Sequence, residues 1–347
     1  MNPEAINAIM CMGLIALCVS VVLNWIAIWL APKLGLMDAP SERKVHAVSI
    51  PRMGGLCIWL SMILVAGFSW VAGSSWWLDG DIPGCVYAGL ILLILVGVLD
   101  DRIGMPWQPR LLVHFLAGAL AVWGMGFFND MLAGVTALIF LVAMTNAFNM
   151  IDNMDWQCGG VSFLSLLAVL FLQFQYGHAS AATLNLLALG ALTGFLWWNR
   201  PVAKIFLGDA GSIPLGFLIA TMTLALLKNE ILAEPVTIMG VSGIFLIPIY
   251  DLITVVAIRL IQGKSPFHAD KQHLSHRMVQ AGSSSRKAVL TILLIHLSGV
   301  MSGVVLIVCN RIVIAWIIFG WMIVSCACLC WLDFRAFTKS GSIRARG

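Results

Sequence analysis

The chain has 347 residues, of which 61% are hydrophobic and only 10% charged, and its net charge is +4. A soluble domain carries about 25% charged residues to wet its surface, so this composition excludes a soluble globule and points to helices facing lipid. The mean hydropathy of +0.97 agrees; the lipid bilayer is the expected surrounding, and no nucleic-acid partner is expected.

A spanning helix needs about 20 mostly apolar residues. In chain order, such runs lie near 6–31, 54–73, 84–99, 111–128, 131–148, 159–177, 180–198, 211–227, 236–258, 288–309 and 312–332. The sequence therefore predicts an all-α, polytopic integral membrane protein with about eleven transmembrane helices. The third run is short and leads directly into charge. No Lys or Arg precedes the first run and no small-residue cleavage site follows it, so it reads as an uncleaved span rather than a signal peptide. No repeat, low-complexity tract or soluble segment interrupts the pattern, and a single transmembrane domain over 1–347 is expected. The nine Cys are scattered through apolar stretches without a C-x-x-C pair and read as small apolar residues.

Charge sets the expected orientation. With the loop holding Lys33 to Arg52 inside, 18 of the 20 basic residues fall on the inner side, leaving Lys228 and Arg311 outside. The positive-inside rule then places the N-terminus out and the C-terminus in. Trp70, Trp76 and Trp77 fit the outer aromatic belt. Glu4, Asp79, Asp81, Asp130, Glu230 and Glu234 fall in outer turns, where a solvated role suffices.

Four inner segments stand out, three of them acidic and one holding a cluster of basic residues. Asp100-Asp101-Arg102 closes the third run. Asn149, Asp152 and Asp155 follow the fifth at i, i+3 and i+6, which a helical turn would stack along one face. Asp209 lies between Gly208 and Gly211, which let backbone approach a ligand at the start of the next helix. Lys271, His273, His276 and Arg277 place several donors within seven residues, a set suited to a diphosphate. Carboxylates at an apolar boundary usually face a cavity, an ion or a substrate path. Carboxylate and amide oxygens are hard ligands suited to Mg²⁺. A divalent ion held by acidic residues beside basic residues holding phosphates is the general layout of phosphoryl transfer. Each segment alone has a plain structural explanation: a helix end, a turn, or the inner-loop charge bias. Their gathering on one predicted side is what points to a site. His114, His178 and His296, in or near apolar runs, read as packed or interfacial.

These residues resemble the polyprenyl-phosphate N-acetylhexosamine-1-phosphate transferases, from about Leu36 to Arg286. The resemblance extends to the early loop, Asp38-Ala39-Pro40 with Arg43-Lys44-Val45-His46, then Pro51 and Gly54-Gly55. It implies a bacterial inner-membrane enzyme with its site on the cytoplasmic face. The implied reaction moves a sugar-1-phosphate, most simply GlcNAc-1-phosphate, from a UDP-N-acetylhexosamine to undecaprenyl phosphate and releases UMP. Carried over by position, Asp100, Asp101 and Asp152 match the catalytic carboxylates. Asp209 matches the principal Mg²⁺ ligand and Asn149 a second, with Mn²⁺ a substitute. Asp155 matches a residue near the nucleotide, and His273, His276 and Arg277, with Lys271 beside them, match the diphosphate loop. Lys44 and His46 match the substrate-binding first inner loop.

This chain departs from the family at three places. Ser275 stands at the middle position of an H-x-H-H loop. Trp156-Gln157-Cys158 replaces Gly-Leu-Ala after Asp155, and Arg110 stands where many members have Lys. Two readings from other classes remain: a secondary transporter, which would place carboxylates at mid-bilayer and show inverted repeats, and an inactive scaffold. Among the candidate residues, Asp251, after Pro248, is the one away from the inner face and could mark a broken helix. The Gly-rich helices are compatible with a homodimer without requiring one.

Overall fold

The computed structural model describes residues 3–38, 49–73, 82–227, 235–268 and 270–309, together with 316, 320, 321, 324, 327 and 329. The chain packs as two compact units, Met1–Glu230 and Ile231–Gly347.

In lipid, every backbone polar group must be satisfied within the chain, so apolar runs become helices. The first unit holds α1 (Pro3–Leu34), a two-residue hairpin, and seven further helices: α2 (Gly54–Val71), α3 (Gly84–Ile103), α4 (Trp107–Gly124), α5 (Met131–Met150), α6 (Gln157–Gln175), α7 (Ala179–Asn199) and α8 (Asp209–Leu227). The hairpin pairs β1 (Met37–Asp38) with β2 (Ile50–Pro51) in antiparallel register, Met37 opposite Pro51 and Asp38 opposite Ile50. Local chemistry marks the boundaries. Gly104, at φ +66°, ends α3 in the left-handed conformation that glycine adopts without strain. Asp130 starts α5 by accepting the Leu132 and Ala133 N–H groups.

α8 is the centre of this unit and is almost wholly buried, whereas α1 at the rim is mostly exposed. It packs against α2, α3, α5 and α6, while α1 packs against α2 and α7. The Ser20 hydroxyl donates to the Ala191 carbonyl at 2.6 Å and ties α1 to α7. Such interhelical bonds and close packing hold helices together where no hydrophobic force acts between them.

The second unit holds α9 (Pro235–Ile244), α10 (Leu246–Ile261), the short α11 (Leu274–Gln280) and α12 (Ser285–Cys309). The run at 236–258, expected as one span, is a pair of helices bent by 83°. Pro248 accounts for the break, because it cannot donate to the carbonyl four residues back at Ile244 and its ring crowds that turn.

Among the described residues, eight helices are long and apolar enough to cross a membrane, or nine if the bent pair is one span. The protein is an all-α, multi-pass membrane protein. Two of the eleven expected runs fall outside this count. The run at 111–128 forms α4, which is helical but not among the eight. The run at 312–332 lies mostly outside the described residues.

Candidate active site

The first unit's site is built around the start of α8. The strand-like segment before it is held by three backbone bonds: Phe206 N–H to Pro51, Gly54 N–H to Phe206 and Gly55 N–H to Leu207. A Cβ on Gly55 would lie 2.2 Å from the backbone of Gly211, so only glycine allows α2 and α8 to meet here. Gly208 turns the chain at φ +73°, and a Cβ there would sit 2.6 Å from an Asp101 oxygen.

That contact shows what Asp101 does. Its Oδ1 accepts the Asp209 N–H at 2.9 Å and its Oδ2 accepts the Ala210 N–H at 3.0 Å. A helix leaves its first N–H groups without intrahelical partners and carries partial positive charge at that end. Asp101, from α3, therefore caps α8 across more than a hundred residues of sequence.

Asp100 is almost fully buried, and both of its oxygens are engaged as well. Oδ1 accepts the Met105 N–H at 2.6 Å, and Oδ2 pairs with Arg110 at 2.6 Å. The same Arg110 nitrogen lies 3.4 Å from Asp209 Oδ2, so one guanidinium from the first turn of α4 bridges two carboxylates. The other Asp209 oxygen accepts the Asn149 amide at 2.7 Å, and that amide also reaches Ser212 Oγ at 3.2 Å. Asp209 keeps 26% of its side chain exposed, against 3–4% for Asp100 and Asp101, and is the most open carboxylate of the three.

Asp152 lies on the turn between α5 and α6 and bonds the Gly208 N–H. Burial, reinforced by the Asp101 charge, pushes its carboxyl up to about 7. Asn149, Asp152 and Asp209 are thus brought together with Asp100 and Asp101. Asp155 has a different place: its Oδ2 accepts the Ala203 N–H at 2.9 Å and holds the loop between α7 and α8. The next residue, Trp156, has φ +68°; its N–H donates to Asn199 and its indole N–H to the Leu196 carbonyl at 3.0 Å.

Two arginines complete this cluster. Arg110 was visible in the sequence only as a replacement for lysine. Arg52 read there as one more inner-loop charge, yet it pairs with Asp38 at 2.8 Å and approaches Asp101 Oδ1 at 3.9 Å. Its position just before Gly54-Gly55 was the available signal. Lys44 and His46 lie outside the described residues.

These carboxylate and amide oxygens are hard donors, and four carboxylates here face two guanidiniums, one of them shared with Asp38. That excess of negative charge fits a divalent cation. Among the described residues, no three His, Cys, Asp or Glu side chains form a ready metal cage. Mg²⁺ does not need one, since it typically takes one or two carboxylates and completes its shell with water and substrate phosphates.

The second unit carries the basic loop. His273 Nδ1 lies 2.7 Å from Asp251 Oδ2, and the His273 and His276 rings meet edge to face at 6.3 Å. Burial, with the neighbouring His273 and Lys271 charges, pushes His276 down to about 4, so it is neutral at pH 7. Arg277, expected among the diphosphate donors, is turned inward: its guanidinium donates to the Gln272 carbonyl and to Thr254 Oγ1. Arg259, which carried no expected role, binds both oxygens of Asp270 at 3.1 Å and the Pro266 carbonyl at 2.6 Å. That pairing holds the Asp270 carboxyl below its ordinary range. Ser275 is fully buried, so the middle position of the loop faces the protein interior.

Comparison with known proteins gives a consistent picture. The profile of the family described as glycosyl transferase family 4 matches residues 84–227, from α3 through α8. A probable undecaprenyl-phosphate N-acetylglucosaminyl 1-phosphate transferase of Bacillus subtilis is 32% identical over 295 residues, 80% of this chain and 79% of that protein. An undecaprenyl-phosphate α-N-acetylglucosaminyl 1-phosphate transferase of Yersinia pestis is 32% identical over 295 residues, 79% and 78% of the two chains. A decaprenyl-phosphate N-acetylglucosaminephosphotransferase of Mycobacterium tuberculosis is 28% identical over 310 residues, 76% and 74% of the two chains.

Proposed function

The chain belongs to the polyprenyl-phosphate N-acetylhexosamine-1-phosphate transferases, and from that membership we propose that it transfers GlcNAc-1-phosphate to undecaprenyl phosphate. The donor is UDP-GlcNAc and the products are UMP and the lipid-linked sugar diphosphate. The reaction runs at the cytoplasmic face of a bacterial inner membrane, with the N-terminus outside, as the first membrane step of a cell-envelope polysaccharide. The observation that carries the reading is the convergence of Asp100, Asp101, Asn149, Asp152 and Asp209 at the start of α8.

Phosphoryl transfer demands positioning and charge neutralisation more than covalent help from the protein. Asp209 would hold the metal ion, with Asn149, whose amide donates to Asp209, as a second ligand. When bound, Mg²⁺ neutralises the charge that develops on the phosphate oxygens as UMP leaves. Arg110 keeps Asp209 and Asp100 together against their mutual repulsion. Asp101 holds the α8 N-terminus, and so the backbone of Gly208 to Ala210, in place.

The same bonds favour direct attack by the lipid phosphate over an aspartyl intermediate. Both oxygens of Asp101 accept backbone N–H groups, and both oxygens of Asp100 are engaged with Met105 and Arg110. Neither is left as a free nucleophile. The lipid phosphate is a monoester with a second pKa near 6, mostly ionised at pH 7, and needs no strong base. Asp152 is the carboxyl able to exchange a proton near neutral pH. In the second unit, Lys271, His273 and His276 are assigned to the donor's phosphates, and Arg277 to the shape of the loop that presents them.

The test is UMP release by purified protein with undecaprenyl phosphate and Mg²⁺ across a panel of UDP-N-acetylhexosamines, with Mn²⁺ as the replacement ion. Release that needs lipid and metal and is fastest with UDP-GlcNAc is expected. Faster release from another UDP-N-acetylhexosamine would reassign the donor, and no release from any of them would overturn the reaction.

A further inference from the structure

α10 faces the loop that follows it with three polar side chains. Arg259 clamps Asp270 and the Pro266 carbonyl, Thr254 accepts from Arg277, and Asp251 meets His273. Two of these contacts fix the loop's path. The third acts on a side chain assigned to substrate. Asp251 is fully buried, and both of its oxygens have short partners: Oδ2 lies 2.7 Å from His273 Nδ1 and Oδ1 accepts the Leu274 N–H at 2.7 Å. Leu274 opens α11, so the carboxylate is anchored by a helix N-terminus as well as by the ring. It cannot swing away without exposing that N–H and leaving its own charge buried without a partner, which is strongly unfavourable.

A carboxylate held at Nδ1 makes that nitrogen an N–H donor, fixes the ring plane, and leaves Nε2 as the nitrogen facing away from Asp251. We propose that Asp251 is a positioning residue for the transfer reaction, locking the His273 ring so that, in its imidazolium form, Nε2–H donates to a phosphate oxygen of the nucleotide-sugar donor. The proposal rests on the reading that the loop from Lys271 to His276 binds the donor's phosphates. It gives a role to the acidic residue that the sequence left apart from the inner-face carboxylates.

The experiment is a double-mutant cycle on the full chain in detergent, with undecaprenyl phosphate, Mg²⁺ and UDP-GlcNAc, reading UMP release. The four proteins are the unaltered chain, Asp251→Asn, His273→Ala and the double variant. Each single variant is expected to lose about 10–100-fold in kcat/KM, the range found when the carboxylate behind a working histidine is removed, with the larger share in KM for the donor. The double variant is expected to be no worse than His273→Ala, because Asp251 acts through that ring. A residue that merely stabilised the fold would cost the same in both backgrounds, and that additive result would overturn the proposal. An impaired His273→Ala beside an unimpaired Asp251→Asn would overturn it too. A His273→Ala protein with undiminished kcat/KM would remove the loop reading itself, and the proposal with it. Should Asp251→Asn fail to accumulate, Asp251→Glu keeps the charge, moves it by one methylene and is judged by the same cycle.

Discussion

At the start of α8, Asp100, Asp101, Asp152 and Asp209 share Arg110 and Arg52, whereas in the second unit Arg259 pairs with Asp270 one to one. Charge matched one to one and buried is a scaffold: it fixes a loop and leaves nothing for a ligand to neutralise. Charge left in excess, and kept in place by backbone N–H groups and a shared guanidinium, favours a cation that arrives with substrate. The two regions can therefore be told apart by what their removal does to activity and to stability.

The largest effect belongs to Asp209. Asp209→Ala should lower kcat for UMP release by about 10²–10³-fold, the scale of losing one principal contact to transition-state charge. Its thermal midpoint in detergent should stay level or rise, because one of several crowded carboxylates is gone. A large fall in that midpoint would show that Asp209 is scaffold and would break the comparison. Arg259→Met should do the reverse. It leaves Asp270, which is partly buried, without its counter-ion and the Pro266 carbonyl without its donor, read as a lower midpoint. If stability were unchanged, the paired charges of the second unit would not be the scaffold described.

Asp101 tests the border between the two roles. Asp101→Ala should reduce activity and stability together, the latter by about 1–3 kcal/mol for the N–H groups of Asp209 and Ala210 left without acceptors. Activity lost with full stability would move Asp101 from cap to chemistry. His276 gives a pH signature instead. Its pKa is lowered from 6.5 to about 4, so between those values the unfolded chain takes up a proton that the native state refuses. Stability should therefore fall as pH drops from about 6.5 to about 4 and level off below. Asp251 and Asp270 nearby oppose the shift without reversing it. In His276→Phe that slope should be shallower, and thermal midpoints across the pH range measure it.

Much of this was legible in the sequence, for a definite reason. A carboxylate at the end of an apolar run is costly enough to be conspicuous, and so Asp100, Asp101, Asp152 and Asp209 stood out before any coordinates, with Asn149 through its spacing from Asp152. What each one bonds did not. The partners of Asp101 are backbone groups 108 and 109 residues away, and composition carries no record of them. Arg52 was hidden for the opposite reason, because a basic residue on an inner loop is ordinary under the positive-inside rule, and Arg110 showed only as a replacement for lysine. Arg277 was conspicuous as a charge, but its inward direction depends on where Thr254 and the Gln272 carbonyl lie. The helix break before Pro248 escaped a hydropathy scan because apolar content does not report a missing backbone N–H.

Trp156 marks the fine end of the comparison. It stands where the related sequences commonly have glycine, and the structure explains that preference: its φ is +68°. A residue with a Cβ pays about 1–2 kcal/mol in that conformation. Here the indole offsets part of the strain by donating to the Leu196 carbonyl at 3.0 Å. Trp156→Gly should remove the strain and the indole bond together, a bond of about 0.5–1.5 kcal/mol. The net change in stability should therefore lie within about 1 kcal/mol of zero. Because the indole is tied to α7, KM for UDP-GlcNAc should change less than about threefold, on the scale of 0.6 kcal/mol. A shift in donor preference of tenfold or more would show that the indole leaves Leu196 during turnover and reaches the sugar nucleotide, and Trp156 would then join the open, substrate-facing side of the molecule.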